Sequence, residues 1–204
     1  NLQYSLDGGT TWLNYSTTGA PTLTGTSMLV RTPVLEDAVQ DNGETFTLTA
    51  TPRGGVAVVG TATINDQGGG SIYNADGTPN TTAIPTDDRP ITVTSPTVNE
   101  SSPHAVFTVA GAVGQTISLA LGGGTAGGSG TDYGSSTATT NLQYSLDGGT
   151  TWLNYSTTGA PTLTGTSMLV RTPVLEDAVQ DNGETFTLTA TPRGGTRSEE
   201  HTSE

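Results

Sequence analysis

Clustered carboxylates are the residues of this chain whose types and spacing could do chemistry. Two groups of four acids, each spanning nine residues, occur in the 204-residue sequence: Glu36, Asp37, Asp41 and Glu44, and then Glu176, Asp177, Asp181 and Glu184. Carboxylates this close repel one another unless water or a cation offsets their charge. Oxygen donors without His or Cys suit a hard cation such as Ca²⁺ far better than Zn²⁺. The alternative for each group taken alone is an ordinary solvated acidic turn.

Three further acids lie where predicted strands begin or end. They are Glu100 in TVNE, Asp132 in GTDY and Asp66 in TATIND. Loops that leave a β-domain at the same end bring such acids together, so the whole set favours a Ca²⁺ site. Asp87 and Asp88 offer more oxygens at a domain junction, with an acidic turn capped by Arg89 as the alternative.

Enzyme chemistry has little support among the same residues. The chain has no Cys and no Lys, and His104 is its only His before residue 197. A Ser–His pair is therefore not evident, and the paired carboxylates lie in polar loops rather than in an apolar pocket that raises a catalytic pKa. The sequence predicts a protein that is not an enzyme, without catalytic residues.

Charge and hydropathy narrow the range of partners. Nineteen acids against six Arg give a net charge of −13, whereas proteins that bind phosphate backbones carry clustered cations. The sequence contains no apolar run of about 18 residues, the length that a membrane-spanning helix needs. We expect no nucleic-acid partner and no membrane insertion of this fragment.

Short strands are the elements that must position the acids. Apolar and polar residues alternate in LQYSL (2–6), SMLVRTPV (27–34), ETFTLTAT (44–51), VAVVGTATI (56–64), ITVTSPTV (91–98), AVFTVAG (105–111) and QTISLAL (115–121). A period of two, with Gly-rich turns between the segments, is typical of strands, and no segment has a helical period. The predicted fold is all-β, an antiparallel β-sandwich of the immunoglobulin-like kind.

Residues 1–55 and 141–195 are identical at every position, and we call them the first copy and the second copy. Their offset of 140 residues exceeds a propeller blade or a solenoid unit, so the repeating object is a whole domain. A recent duplication and a sequence-assembly error both explain the identity.

Strand content and composition predict four segments along the chain. They are 1–66, the C-terminal part of one repeat; 67–90, a linker; 91–195, a second repeat without its last strand; and 196–204, a non-native tail. The last eight residues, RSEEHTSE, resemble a translated sequencing adapter. The two copies are expected to compete for the opening segment 91–140, with connectivity favouring the second copy. Strand 56–66 is then predicted to fill the vacant edge of the second repeat.

The octapeptide SLDGGTTW occurs at 5–12 and again at 145–152. It is similar to the Asp-box hairpin of sialidase-like β-propellers, which implies a carbohydrate-binding or carbohydrate-cleaving fragment as the alternative function. One box per 140 residues favours a hairpin that serves architecture. GGSGTD (127–132) matches the start of a Ca²⁺-binding β-roll repeat, but a single copy cannot stack. Tyr133 is instead expected to pack in a core.

The order TVNE, GTDY, ED…D..ETF and ATIND resembles the Calx-beta domain. LQYSLDGGTTW, MLVRTPV and ETFTLTATP are similar to the Calx-beta-like modules of large bacterial surface adhesins. The resemblance implies a β-sandwich that binds Ca²⁺ through loops at one end. It suggests two metal sites: Glu100, Asp132, Asp177, Asp181 and Glu184 in the second repeat, and Asp37, Asp41, Glu44 and Asp66 in the first. Two departures from the family pattern are Gln67 after Asp66 and the missing closing Asp of the second repeat.

A structural role follows from this resemblance. It implies an extracellular or cell-surface repeat that Ca²⁺ makes rigid, both within the domain and at its junction. The expected partners are neighbouring repeats of the same chain, with a cell-surface or glycan ligand reached through other domains.

Overall fold

The structure, a computed structural model, describes residues 1–35, 39, 42–135, 141–177 and 183–193, and residues 199–203 as backbone alone. The fold is all-β, and no helix occurs within those ranges. The strands are β1 (Gln3–Ser5), β2 (Leu13–Asn14), β3 (Leu29–Arg31), β4 (Thr45–Ala50), β5 (Val58–Thr63), β6 (Thr92–Val93), β7 (His104–Ala110), β8 (Ile117–Gly123), β9 (Gln143–Ser145), β10 (Leu153–Asn154), β11 (Ser167–Pro173), β12 (Phe186–Pro192) and β13 (Glu199–Ser203). All the strand pairings are antiparallel.

The chain divides into two compact units. Unit 1 comprises residues 1–65 and 69–85, and unit 2 comprises residues 66–68 and 86–204. The first copy therefore lies in unit 1 and the second copy in unit 2.

Unit 2 contains a five-stranded sheet with the order β10-β9-β11-β7-β6. Its longest ladder joins β11 to β7 over seven residues, from Ser167↔Ala110 to Pro173↔His104. The other edge of β11 pairs with β9. The opening segment thus pairs with the second copy, as connectivity predicted, because these elements are close in sequence.

A second sheet of unit 2 has the order β13-β12-β8. Alternate side chains of β12, including Phe186 and Leu188, point into the same apolar core as those of β7 and β11. The ring of Phe107 meets the ring of Phe186 edge to face, with 5.9 Å between centroids. Two sheets that share one core are consistent with a β-sandwich.

Unit 1 contains two smaller sheets. One has the order β2-β1-β3, and the other is the β4–β5 hairpin, in which Phe46 pairs with Ala62 and Ala50 with Val58. Every residue of β4 and β5 is exposed. The strand pattern was therefore predicted correctly here, but the burial that usually accompanies it is missing.

A tight turn at residues 72–80 also belongs to unit 1. The N–H of Asn74 donates to the carbonyl of Thr78 at 2.8 Å, and the N–H of Asn80 donates to the carbonyl of Ile72 at 2.7 Å. The Asp76 carboxylate accepts the N–H of Thr78 at 2.9 Å. This hydrogen-bonded geometry is that of a turn stabilised by the Asp76 side chain.

The segment before β6 contains an ion pair between buried Asp87 and half-buried Arg89, and Gln115 binds this segment to the rest of unit 2. Arg89 donates through Nε and Nη2 to the two carboxylate oxygens of Asp87, at 2.9 and 2.6 Å. The buried Gln115 amide donates to the carbonyl of Arg89 at 2.7 Å. The turn in which Arg89 caps the acid is thus the correct alternative for Asp87, whose carboxylate is occupied by the guanidinium.

Strand 56–66 does not fill the edge of the second repeat, and that prediction was wrong. β5 pairs with β4, and the edge of β12 opposite β8 pairs with β13. The connection between β4 and β5 is short, so closing this hairpin costs less chain entropy than a pairing across a longer loop.

Candidate functional site

The acids predicted for the second metal site lie at one end of unit 2. β7 begins and β11 ends there, since His104 pairs with Pro173. β8 ends and β12 begins at the same end, where Gly123 pairs with Phe186. The loops that carry the acids join these strands, so the fold itself brings the loops together.

Glu100 contacts the segment that carries Asp177. Its Oε1 accepts the backbone N–H of Asp177 at 3.1 Å, across 77 residues of sequence. A turn positions the glutamate, because the N–H of Ser102 donates to the carbonyl of Asn99 at 2.8 Å. Both acidic side chains are exposed to solvent and therefore accessible to a dissolved cation.

Asp132 lies in a loop that contacts the same segment. Its carbonyl accepts the N–H of Leu175 at 2.8 Å, and its carboxylate Oδ2 accepts the N–H of Gly127. The next residue, Tyr133, stacks on Phe186 with 4.2 Å between centroids and donates its hydroxyl hydrogen to the carbonyl of Gly122 at 2.9 Å. Burial raises the pKa of Tyr133. Tyr133 thus packs in the core, as predicted, and holds the Asp132 loop in place.

Glu184 precedes a residue that is tied to the Asp132 loop. The N–H of Thr185 donates to Oγ1 of Thr125 at 2.9 Å, and the N–H of Ala126 donates to the carbonyl of Thr185 at 3.0 Å. The segments that carry Glu100, Asp132, Asp177 and Glu184 therefore form a connected group, which we call the acidic end of unit 2. The fifth predicted ligand, Asp181, lies outside the described residues.

The donor chemistry of the acidic end suits Ca²⁺ only in part. Carboxylate oxygens are the ligands that Ca²⁺ prefers, and each of Glu100 and Asp132 has one oxygen engaged by a backbone N–H. Among the residues that the structure describes, no three acids or histidines lie close enough together to hold a metal ion. The described carboxylates by themselves therefore do not form a complete cage.

Of the four acids predicted for the first metal site, the structure describes Glu44 and Asp66. Asp37 and Asp41 lie outside the described residues. Glu44 belongs to unit 1, where its carbonyl accepts the N–H of Ile64 at 2.8 Å, and Asp66 belongs to unit 2, where its carbonyl accepts the N–H of Asp88 at 3.1 Å. The two described members of this set are thus parts of different units.

The SLDGGTTW turn has the same geometry in both copies. Ser5 Oγ donates to Asp7 Oδ1 at 2.7 Å and accepts the N–H of Gly9 at 2.8 Å. In the second copy the corresponding distances are 2.8 and 2.8 Å, from Ser145. Gly9 has a φ of 99°, in the left-handed region that favours glycine.

Hydrogen bonds hold the aspartate of each turn in its charged form. The Thr11 hydroxyl, the Thr11 N–H and the Ser5 hydroxyl, in that order, lower the pKa of Asp7 to about 2. The same donors of the second copy lower the pKa of Asp147 to about 2. The aspartate thus serves as an acceptor that closes the turn, which is a structural role.

An arginine–tryptophan pair completes each hairpin, and sequence analysis missed it. The Arg31 guanidinium lies 4.0 Å from the centre of the Trp12 ring, and the Arg171 guanidinium lies 4.0 Å from that of Trp152. Arg31 Nε also donates to Gln3 Oε1 at 2.8 Å. A single Arg in an otherwise apolar strand was the available signal, since such a cation needs an aromatic or polar partner.

Comparison with known proteins gives no functional information, so any functional conclusion depends on the fold and on this geometry. No protein-family model, no curated protein and no solved structure matches the chain. In the part of the chain that the structure describes, there is also no helix with the length and apolar character needed to cross a membrane.

Proposed function

We propose that the chain is a structural module of a repetitive extracellular protein, a Calx-beta-like β-sandwich in which the acidic end of unit 2 binds Ca²⁺. The observation that supports the proposal is the contact between Glu100 and Asp177, which joins two acidic loops from distant parts of the sequence. The loops of Asp132 and Glu184 are hydrogen-bonded into the same end.

The residues that would hold the cation are Glu100, Asp132, Asp177 and Glu184, with Asp181 added from the sequence. A bound Ca²⁺ supplies positive charge that offsets carboxylate repulsion. The chain's own part is to bring the loops together: the Asp132 loop is anchored by Tyr133, and the Asp177 segment follows β11 directly. Rigid loop ends are what a module needs at a junction with its neighbour.

The size of the expected effect follows from mass action. Extracellular modules bind Ca²⁺ with dissociation constants of about 10⁻⁴–10⁻³ M. Ca²⁺ at a hundredfold excess over its dissociation constant would stabilise unit 2 by about 2.7 kcal/mol. That is a substantial part of the roughly 5–15 kcal/mol that stabilises an ordinary domain.

Thermal unfolding of the full chain, with EDTA and then with excess CaCl2, tests the proposal. We expect Ca²⁺ to raise the unfolding temperature of unit 2, and Asp177→Asn to reduce that rise. The matched control is Asp37→Asn, the identical position of the first copy, because unit 1 contains no equivalent of segment 91–140. The proposal would be contradicted if Ca²⁺ did not change the unfolding temperature, or if the two substitutions changed the Ca²⁺-dependent rise equally.

A further inference from the structure

The two copies have the same sequence but different strand partners. In unit 2, β11 pairs with β7 and β12 pairs with β8, both from the opening segment. Among the described residues of unit 1, β3 pairs only with β1, and β4 pairs only with β5. β3 and β4 therefore each have an unpaired edge where their counterparts, β11 and β12, bind strands of the opening segment.

The same difference appears in the burial of the apolar side chains. Leu188 is 0% exposed and Phe186 is 6% exposed, whereas Leu48 is 39% exposed and Phe46 is 38% exposed. The pairing of β4 with β5 places Val58, which is 67% exposed, opposite Ala50 on the same face as Leu48. We call this surface, made by Phe46, Leu48, Ala50, Val58 and Ala62, the open face of unit 1.

The open face has a complement of known sequence within the chain. In unit 2 the counterparts of Phe46, Leu48 and Ala50 are covered by the opening segment, with Leu188 paired to Leu121 and Ala190 paired to Leu119. An exposed strand edge beside apolar side chains is the arrangement that accepts an added strand, because main-chain hydrogen bonds and side-chain pockets are both available.

We propose that the open face of unit 1 binds an opening segment of the type formed by residues 91–124, supplied by a second copy of this module. The added segment pairs with the free edges of β3 and β4 in the register that β7 and β8 have in unit 2. Its apolar side chains cover Phe46 and Leu48 as they cover Phe186 and Leu188. The proposal goes beyond the Ca²⁺-binding function and depends on strand pairing alone.

Binding of a fluorescent peptide with the sequence of residues 91–124 to the full chain tests the proposal. Working in excess EDTA separates its failure from a failure of the Ca²⁺ proposal. We expect saturable binding that Leu48→Asp weakens roughly tenfold or more, because a charge would be buried without a partner. Thr47→Asp, on the opposite face of the same strand, should change the affinity by no more than about twofold.

Two controls distinguish a specific complex from nonspecific hydrophobic binding and from the effects of misfolding. A peptide carrying Phe107→Asp should bind roughly tenfold more weakly or not at all, because that ring lies in the core of unit 2. Val58→Asp in the full chain alters an exposed position, so unit 1 should fold and peptide binding should still be lost. The proposal would be overturned if peptide binding did not saturate or if the Phe107→Asp peptide bound equally well. It would also be overturned if folded Leu48→Asp and Val58→Asp chains bound the peptide fully.

Discussion

The turn at 5–12 and the strand at 45–50 each have an identical counterpart in the second copy, but only the turn keeps the same internal hydrogen bonds in both. Ser5 and Ser145 are equally buried and accept the same glycine N–H at 2.8 Å. Leu48 is 39% exposed where Leu188 is 0% exposed. The turn is stabilised by contacts within its own residues, whereas the strand depends on a partner that one copy has and the other lacks.

Truncation of equivalent phenylalanines should give the largest difference in lost stability between the two copies. Phe186→Ala removes a ring that packs against Phe107 and Tyr133 and should lower the free energy of unfolding of unit 2 by about 3–5 kcal/mol. Phe46→Ala should cost unit 1 about 1 kcal/mol or less, since the side chain is already partly in water. Denaturation followed by Trp fluorescence measures both, with Trp12→Phe and Trp152→Phe backgrounds to report one unit at a time. Equal losses would mean that the two strands have equivalent environments.

Equivalent substitutions in the two turns should reduce the stability of their units by equal amounts. Ser5→Ala and Ser145→Ala each remove the acceptor of a glycine N–H, which is buried in the first copy and partly buried in the second, and should cost about 1–3 kcal/mol. The same fluorescence assay should give losses that agree within about 0.5 kcal/mol. A clear difference between the two would show that tertiary surroundings also govern the turn.

A hydrogen bond at the end of β11 provides a smaller contrast. Thr172 is fully buried, and its Oγ1 donates to the carbonyl of Asn141 at 2.9 Å. Thr172→Val keeps the volume of the side chain, and we expect the lost hydrogen bond to cost unit 2 about 0.5–1.5 kcal/mol. Thr32→Val, at the exposed equivalent, should change the stability of unit 1 by no more than about 0.5 kcal/mol. A larger loss from Thr32→Val would contradict the assignment of Thr32 to the surface.

Acid titration should show no difference in pKa between the aspartates of the two turns. The folded pKa of Asp7 and of Asp147 is about 2, below the ordinary value of 3.8. Because folding lowers the pKa, the stabilisation is complete above about 3.8 and is lost as the pH falls towards 2. NMR titration of the two carboxyl carbons should give equal midpoints near pH 2. A midpoint near 3.8 in either copy would show that its turn hydrogen bonds are not formed.

The strand pattern was predictable because it depends on alternation that each segment carries in its own sequence. The segments around Phe107, Leu119 and Leu188 are strands in the structure, and their inward faces are those that alternation indicates. The strand predicted over 91–98 is longer than the observed β6, whose pairing with β7 is extended only by the N–H of Thr94, which donates to the carbonyl of Thr108. Strand length is decided by the neighbouring strand as well as by the segment.

The acidic end was predictable in composition but not in geometry. Sequence patterns indicated Glu100 and Asp177 as members of one site, and the structure places their segments in contact. The sequence left Asp87 either as a candidate ligand or as an acid capped by Arg89, and the structure shows Arg89 as its bidentate donor, with the Gln115 amide bound to the carbonyl of Arg89. The single Arg of each strand indicated that a partner was needed, but only the structure identified the partners as Trp12 and Trp152.

Within the identical copies, the sequence by itself determined the hairpin turn, the alternation of each strand and the faces that are apolar. These features arise from interactions between residues a few positions apart, which are the same wherever the copy lies. Chain connectivity predicted which copy the opening segment would join, but only the tertiary structure decided how far each apolar face is buried. The chain has one opening segment, 91–135, and it pairs with the second copy, so Leu188 became a core residue and Leu48 remained at the surface. Burial of an apolar side chain requires a partner surface, and that surface is supplied by another part of the fold.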